Sequence, residues 1–458
     1  MYTWLMLHKS EVLIFLAAFS VRMFFFVFFV SAIPNFPLIG SDSTHYIRDA
    51  QRIIEFGRFL SQDASEPNSY ETPVYPIFLA FVLVTAKSLL AVPFLQNLIA
   101  GFSALAIFRI ASSVFTKPVA IGASILFAFD PIGIFYSNYI VTEPLFIFLT
   151  LLSVLVLIKN KGFFAGFLLG VTTLVRPVGV VFFLFFVVYP FFRPRILKRN
   201  LKAAIIIAVG FILVVGPWLV RNKILFGEFE LSVVASWQFY HSHAPHFYAY
   251  MNNIPEREAE QLFKLRLAEL VPDNYKDEVL REKAGSLRHS PYMWKVAIDY
   301  IKEHPFNYIL FHAIKTLPFF FSDGLGEVAR DVKIIQSPDP SITAFVLAGD
   351  FRGVYRALTA DTLAFVIFVV GFLFWFTVAI LMVVGFIRAV LDDSRNTALL
   401  FMFLILAMAL VAGGAVAHPR YRYSVSPFIF ILAAHGASLF GAWVHRKLAK
   451  VPLRNELT

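Results

Sequence analysis

The sequence contains no cysteine, which excludes disulfide bonds and thiol chemistry. Charged residues are also scarce: they make up 15% of the 458 residues, whereas 59% are hydrophobic and 54 are phenylalanine. Soluble domains carry more polar residues than this. The net charge of +10 does not indicate nucleic-acid binding, because the basic residues lie in short connections between apolar runs. We therefore predict an integral membrane protein that contacts the lipid bilayer and no nucleic acid.

Apolar runs of about twenty residues recur along the chain, a length typical of membrane-spanning helices. We predict an all-α polytopic membrane protein with about ten transmembrane helices. The predicted spans are 12–33, 90–110, 119–136, 145–158, 163–175, 178–192, 203–220, 363–387, 398–417 and 425–444. The first run lacks a small-residue cleavage site and is expected to be a retained span. Lys and Arg in the connections predict that both termini are cytoplasmic.

Two further apolar segments are 74–86 and 306–321. If they crossed the membrane, the Lys- and Arg-rich connections would no longer all lie on one side of it. We predict that both are interfacial or re-entrant helices on the outer side. A soluble insertion precedes the second one, and its residues 255–289 have Glu, Lys, Arg and Leu at helical spacing. The small outer insertion is therefore expected to be helical.

Three regions follow from this topology. The first, 1–221, is an N-terminal transmembrane module that contains a polar first outer loop at 34–76. The second, 222–362, is the outer-side insertion with its interfacial helix near 306–321. The third, 363–458, is a C-terminal transmembrane module.

The first outer loop carries carboxylates at both ends, which favours a reaction chamber over a simple connection. Asp42 begins an amphipathic helix and shares one side of it with Tyr46. Glu71 ends the loop, before the chain becomes apolar again. Glu143 lies in the second outer turn, where an acid is costly unless it is paired or hydrated. The candidate catalytic acids are Asp42, Glu71 and Glu143.

The role of Glu143 stays open at this stage. Its carboxylate suits a divalent cation, an acceptor hydroxyl or a salt bridge with an outer arginine. A divalent cation is thus an open cofactor, and no definite metal site is predicted. His241, His243 and His246 have only loose metal-like spacing, interrupted by proline and without a nearby acid.

Lys and Arg usually avoid the outer ends of spans, yet four arginines are predicted there. They are Arg176, Arg221, Arg420 and Arg422. A guanidinium forms forked, charge-assisted hydrogen bonds with phosphate oxygens, so together these residues predict a phosphate-binding site. Snorkelling or contact with lipid headgroups explains any single arginine equally well. Arg22, in the middle of the first span, is expected to form a structural ion pair.

Six segments occur in an order typical of one family. They are GSDSTHYIRDAQRI, ETPVYPIFLA, YSNYIVTEPLFIFL, TTLVRPVG, GPWLVRNKILFGEFELS and PRYRYSVSPFIFILAAHG. In this order the chain resembles the glycosyltransferase C superfamily, and particularly its branch of protein O-mannosyltransferases and lipid A aminoarabinose transferases. The resemblance covers nearly all of the chain except 255–362.

The resemblance implies transfer of a sugar from a polyprenyl-phosphate donor to an acceptor on the outer side, by an inverting single displacement. Asp42 matches the family's catalytic acid of the first loop, and Glu143 matches the acid of the second loop. Thr72 stands where aminoarabinose transferases have a lysine, which argues against that donor. The residues predicted to contact substrate are Tyr46, His418 and Tyr421.

The predicted chemistry agrees with such a transfer, because a lipid phosphate leaves readily once cations stabilise it and one base takes the acceptor proton. Glycoside hydrolysis needs an additional acid. A transporter or flippase of lipid-linked sugars is the competing class, but such proteins show related halves or polar groups at mid-membrane. A scaffold leaves the outer arginines unexplained. We expect the protein to lie in a bacterial cytoplasmic membrane, with its active site on the periplasmic side. The sugar, and whether the acceptor is a glycan, lipid or protein, stay open.

Overall fold

The computed structural model describes residues 9–30, 33, 41–61, 66–192, 196–280, 285–322, 324–331, 350–359 and 362–448. Parts of the predicted outer loop, 34–40 and 62–65, and the segment 332–349 of the predicted insertion lie outside these ranges. Within them every regular element is a helix, and one isolated antiparallel bridge joins Leu60 to Pro67. The predicted all-α class is therefore confirmed for the described chain.

Ten of the described helices precede the predicted insertion. They are α1 (Lys9–Phe25, continued as a π-helical turn to Val30), α2 (Ser41–Phe56), α3 (Val74–Ala86), α4 (Ala91–Ser112), α5 (Lys117–Ala128), α6 (Pro131–Tyr136), α7 (Glu143–Ile158), α8 (Gly162–Thr173), α9 (Gly179–Val188) and α10 (Leu197–Phe226). Proline lies in the first turn of α5, α6 and α7. There its missing N–H has no intrahelical partner to lose, so proline marks these helix starts.

The remaining described helices lie in the predicted insertion and the predicted C-terminal module. They are α11 (Val234–Gln238), α12 (Ala244–Asn252), α13 (Glu256–Leu270), α14 (Asp273–Leu280), α15 (Ser290–Glu303), α16 (Pro305–Phe321), α17 (Leu325–Asp331), α18 (Phe351–Thr359), α19 (Thr362–Leu391), α20 (Arg395–Val411), α21 (Pro419–Tyr423) and α22 (Ser426–Leu448). The helical character predicted for 255–289 is confirmed over α13 and α14.

Four described helices are long and apolar enough to cross a membrane: Lys9–Val30, Ala91–Ser112, Leu197–Phe226 and Thr362–Leu391. The other predicted spans correspond to shorter apolar helices, and the span predicted at 119–136 is divided into α5 and α6. The chain is thus a helical membrane protein. The number of ten spans and the division into three regions stay predictions.

Glycine permits two close helix crossings within the bundle. A Cβ on Gly166 of α8 or on Gly210 of α10 would overlap a backbone carbonyl oxygen of the other helix. Gly385 of α19 and Gly436 of α22 stand in the same relation to each other. Small residues at membrane-helix crossings allow this backbone approach, which increases van der Waals contact where no hydrophobic driving force exists between helices.

The predicted insertion has a hydrophobic core separate from that of the bundle. This second core extends from Phe226 to Phe311 and includes the fully buried Phe247 and Phe263. Hydrogen bonds connect the insertion to the loop before α3, and two of them reach Ser69: Ser69 O accepts from Val233 N–H, and Ser69 Oγ accepts from Leu287 N–H. The insertion therefore fixes the loop that carries Glu71.

The two segments predicted to be interfacial are both helices, α3 and α16. In α16 the side chains of Phe311 and Phe319 are buried, whereas Phe306 and Ile309 are exposed. Exposed apolar side chains on one side of a helix suit contact with lipid. Whether α3 and α16 lie on the membrane or enter it stays a prediction.

Candidate active site

The first acid of the candidate site lies in the opening turn of α2. Asp42 and Tyr46 are four residues apart and therefore share a face of the helix, as predicted. A carboxylate in the first turn interacts favourably with the positive end of the helix dipole. The Tyr46 side chain is buried, whereas 44% of the Asp42 side chain is exposed. Asp42 is thus held by its helix and accessible to a substrate.

One guanidinium joins Asp42 to the second acid, Glu143. Nη1 of Arg420 donates to Oδ2 of Asp42 over 2.6 Å, and Nε of Arg420 donates to Oε1 of Glu143 over 2.5 Å. Arg420 extends from the short helix α21, whose first turn is capped by His418. Nδ1 of His418 accepts the backbone N–H of Arg420 over 3.1 Å. His418 therefore orients the turn from which the bridging arginine extends.

Glu143 is the first residue of α7, and its side chain is completely buried. A second arginine, Arg176, brings Nη1 to 2.6 Å from Oε1 of Glu143, as an ion pair without hydrogen-bond alignment. Burying one carboxylate is costly unless cations compensate its charge, and here two guanidinium groups do so. The salt-bridge alternative for Glu143 is thus the arrangement that the structure contains.

Aromatic rings position Arg176. It lies in the break between α8 and α9, and its guanidinium carbon is 5.7 Å from the centre of the Phe146 ring and 5.6 Å from that of Tyr421. Rings attract a cation through their quadrupole, and the attraction grows in a desolvated site. The side chain of Arg176 is 14% exposed. Tyr421, one of the predicted substrate contacts, thus supports an arginine of the cluster.

Glu71 contributes a third carboxyl group. Asn68 organises its loop: Oδ1 of Asn68 accepts the backbone N–H groups of Tyr70 and Glu71 over 2.8 and 3.2 Å. Burial, reinforced by the carboxylates of Asp49 and Asp42, raises the pKa of Glu71 to about 8. Burial also raises the pKa of Asp49 to about 7, against a hydrogen bond from Asn68. The carboxyl groups of Glu71 and Asp49 are therefore protonated more readily than ordinary ones.

Two of the predicted phosphate-binding arginines lie apart from the cluster formed by Asp42, Glu143, Arg176 and Arg420. Nη1 of Arg422 donates to the carbonyl oxygens of Phe319 and Phe320 over 3.0 and 3.1 Å, at the end of α16. Its guanidinium carbon is 3.5 Å from the centre of the Trp375 ring.

Arg221 is the second predicted phosphate-binding arginine that lies apart from this cluster. Its Nη1 donates to Oδ1 of Asn222 over 2.7 Å, and its guanidinium carbon lies 4.3 Å from the Trp218 ring centre. The structure brings neither Arg422 nor Arg221 to the two acids.

Arg22 has a structural role at the end of α5. Its guanidinium donates to the carbonyl oxygens of Phe127 and Ala128, over 3.1 and 3.0 Å, at the last turn of that helix. A cation at a helix C-terminus stabilises the carbonyl groups that lack intrahelical partners. Its charge also acts on the buried carboxylate of Asp130. Arg22 thus caps a helix and interacts electrostatically with a buried acid.

The three histidines with loose metal-like spacing do not converge. Nε2 of His246 lies 3.2 Å from the Glu256 carboxylate, whereas His243 stacks on His312 with ring centres 5.7 Å apart. His241 stacks on Trp237. Among the described residues, no group of three or more His, Cys, Asp or Glu could hold a metal ion.

Sequence reasoning missed Gln96, a buried polar side chain that is hydrogen-bonded to the turn before Glu143. Gln96, on α4, accepts a hydrogen bond from the Tyr75 hydroxyl over 2.8 Å and donates to the carbonyl oxygens of Ser137 and Tyr139. It thereby ties α3 to the turn that leads to Glu143. The signal was present, because a polar Gln within a predicted span is costly unless it has partners.

Solved structures that resemble this chain include two of oligosaccharyltransferases from Archaeoglobus fulgidus. One, AglB in complex with an inhibitory peptide and a dolichol-phosphate, gives a TM-score of 0.50 at 13% identity, covering 98% of this chain and 52% of that one. The other, tethered to an acceptor peptide with an NVT sequon, gives 0.51 at 15% identity, covering 100% and 53%.

The chain therefore spans about half the length of these structures. No family model matches the chain, and no curated protein matches it either. At such low identity the likeness concerns the fold alone. The superfamily and the branch suggested by the motifs stay predictions.

Proposed function

We propose that this protein is a membrane glycosyltransferase that moves a sugar from a polyprenyl-phosphate donor to an acceptor hydroxyl on the outer, periplasmic face of a bacterial membrane. The observation that carries the proposal is the cluster of Asp42, Glu143, Arg176 and Arg420. It combines one accessible carboxylate with two guanidinium groups held at fixed positions. The shared fold with oligosaccharyltransferases supports the same class.

In the proposed reaction Asp42 is the base. The acceptor oxygen attacks the anomeric carbon while its proton passes to Oδ1 or Oδ2 of Asp42, and the bond from that carbon to the phosphate oxygen breaks. The polyprenyl phosphate leaves with the bonding electron pair, so the configuration at the anomeric carbon inverts. A positioned base of this kind contributes roughly 10²–10⁴-fold to a rate.

Arg176 and Arg420 are proposed to bind the donor phosphate. Both already compensate the buried Glu143, which holds them in place before the donor arrives. Preorganised cations stabilise the charge that develops on the leaving phosphate without reorganising during the reaction. Glu143 is therefore a positioning residue, and Tyr421 supports Arg176 from the other side.

Glu71 is the competing base, but its protonation state disfavours it. With a pKa of about 8, the Glu71 carboxyl group is mostly protonated at neutral pH and acts there as a donor. The Asp42 side chain is 44% exposed and fixed by Arg420, so its carboxylate can be reached by an acceptor hydroxyl, and we assign it the role of base. We assign Glu71 and Tyr46 to substrate contact beside the reacting atoms.

The test is a transfer assay with the purified full-length chain in lipid nanodiscs. Polyprenyl-phosphate mannose and polyprenyl-phosphate aminoarabinose are each supplied, and released polyprenyl phosphate is measured in the presence of membrane glycan, lipid and protein fractions. Release that depends on Asp42 and on an acceptor supports the proposal. Movement of the donor between leaflets without release would instead support a flippase. Wild-type release rates from Asp42→Asn would contradict the role of Asp42.

A further inference from the structure

A pocket in the outer insertion, away from the Asp42 cluster, has no role in the transfer described above. Its volume is about 60 Å³. One wall consists of aromatic side chains from α11 and the π-helical turn that follows it, and the other wall is formed by α13. The lining includes Trp237, Tyr240, His241, Glu260, Gln261 and Lys264.

The aromatic wall is made of three rings that are in contact with one another. Trp237 and His241 are stacked, with ring centres 5.0 Å apart and planes 25° from parallel. The Tyr240 ring meets the edge of Trp237 at 6.3 Å. Rigid aromatic side chains offer contact area at little cost in conformational entropy. Such a surface suits a ligand with a flat, weakly polar face.

The opposite wall is polar. Glu260 and Lys264 are four residues apart on α13 and therefore adjacent on its surface, with Gln261 beside them. Together these side chains offer carboxylate, ammonium and amide groups, which both accept and donate hydrogen bonds. One acidic and one basic group balance in charge, so the pocket favours a neutral ligand rich in hydroxyls over an ion.

The pocket is connected to the loop that carries Glu71. Val233 N–H donates to Ser69 O over 3.0 Å, and Trp237 N–H donates to Val233 O over 2.9 Å. One helical turn, a rise of about 5.4 Å, thus separates the aromatic wall from the residue bonded to the loop. A ligand in the pocket therefore contacts a helix that is hydrogen-bonded to the loop carrying Glu71.

We propose that this pocket is a saccharide subsite that holds a neutral sugar unit of the acceptor, which makes the acceptor a glycan. A pyranose has a face of C–H groups for the aromatic wall and a rim of hydroxyls for the polar wall. The pocket volume exceeds the 10–15 Å³ that one water needs by roughly fourfold, which suits part of one ring rather than a folded partner. The assignment to the acceptor rests on the glycosyltransferase function proposed above.

The first experiment measures binding without catalysis. Maltose, cellobiose and mannobiose are titrated into the full-length protein in nanodiscs by calorimetry. We expect at least one to bind, and Glu260→Gln to weaken it about tenfold, the loss of one hydrogen bond to a charged group. Glu258→Gln is the matched control, because this exposed acid of α13 is not part of the pocket. Binding weaker than about 10 mM for all three sugars, or equal loss in both variants, overturns the proposal.

The second experiment separates the pocket from the transfer reaction. In a transfer assay with a glycan acceptor, Glu260→Gln should raise the acceptor KM about tenfold while kcat and the donor KM stay unchanged. An unchanged acceptor KM overturns the subsite. If the sugars bind through Glu260 but no donor is ever consumed, the pocket is retained as a saccharide site and the proposed transferase function fails instead.

Discussion

Two arginines two residues apart, Arg420 and Arg422, contact very different regions of the molecule. Arg420 bridges two carboxylates, one of them accessible, in a region that also contains Arg176. Arg422 is 1% exposed, and its Nη1 is bonded to backbone carbonyl groups at the end of α16. The same residue type on one short helix thus belongs to a candidate site in one case and to the interior in the other.

The difference follows from helix geometry. Residues two apart on a helix with 3.6 residues per turn lie about 200° apart, on nearly opposite sides. An arginine at the outer end of a span is therefore not by itself an indication of phosphate binding. What distinguishes the two regions is the hydrogen-bond acceptor and its exposure. Arg420 donates to the accessible carboxylate of Asp42. Arg422 instead donates to helix-terminal carbonyl groups and interacts with the buried carboxylate of Asp130.

The largest effect is expected at the accessible carboxylate of the first region. Asp42→Asn keeps the size of the side chain and an oxygen for Arg420 but removes the ability to accept a proton. Turnover should fall by about 10²–10⁴-fold with donor affinity largely retained. Release of polyprenyl phosphate and donor titration measure the two quantities. Asp299→Asn, at an exposed i,i+4 pair with Lys295, is the control and should be neutral. If Asp42→Asn turns over normally, Glu71 becomes the base to test.

The next largest effect is expected on stability, at Arg422 in the second region. Arg422→Gln removes a cation from the end of α16 and from the Trp375 ring, so the free energy of unfolding should fall by about 2–4 kcal/mol. Donor affinity per folded molecule should not change. Denaturant unfolding in detergent and donor titration of the folded fraction provide the measurements. If the variant is as stable as the wild type but binds the donor more weakly, Arg422 contributes to phosphate binding instead.

In the first region, around Asp42 and Arg420, we expect loss of donor affinity with a smaller effect on stability. Arg420→Gln and Arg176→Gln should each weaken donor binding by about 1–3 kcal/mol, the range for charged hydrogen bonds. Glu143 keeps one cationic partner in either variant, so folding should be affected less than by Arg422→Gln. Arg221→Gln is the matched control, because this guanidinium lies over Trp218. Equal donor affinity in all three variants would assign the cluster to folding alone.

Much of the candidate site could be predicted because charges are rare in this chain. Asp42, Glu143, Arg176 and Arg420 stand out in apolar surroundings, and a buried charge in such a protein needs a partner. The helix that places Asp42 and Tyr46 on one face followed from periodicity. Composition and periodicity together were therefore sufficient to predict the class of fold and the principal charged groups.

The missing parts depend on tertiary contacts without a sequence pattern. Asn68 bonds backbone groups only two and three residues away and also Asp49, and nothing local indicates the second partner. Arg22 stands in the middle of the first predicted span, and nothing in the sequence indicates that the carbonyl groups at the end of α5 are its hydrogen-bond acceptors. Hydropathy also does not register the length of short helices such as α8 and α9, and whether each of them crosses the membrane stays a prediction.

The smallest expected effect is the pH dependence that Glu71 gives to the stability of the first region. Its folded pKa of about 8 is above the ordinary value of a carboxyl group, so the folded state retains a proton that the unfolded state loses. The stabilisation from this proton is full below the unfolded pKa and disappears as the pH rises through about 8. Wild-type thermal stability should therefore decrease by a few degrees between pH 5 and 8.5, and Glu71→Gln should flatten this decrease.

The same ionisation should affect donor binding, because a Glu71 carboxylate adds negative charge next to Asp42 and opposes a phosphate. The donor KM of the wild type should rise above pH 8, whereas that of Glu71→Gln should stay level. Glu66→Gln is the control, since this exposed acid of the same loop pairs with Arg288 and should leave the profile unchanged. A rise that persists in Glu71→Gln would assign the titration to another group. The carboxyl at the end of the loop would then have no electrostatic influence on the phosphate region around Arg420.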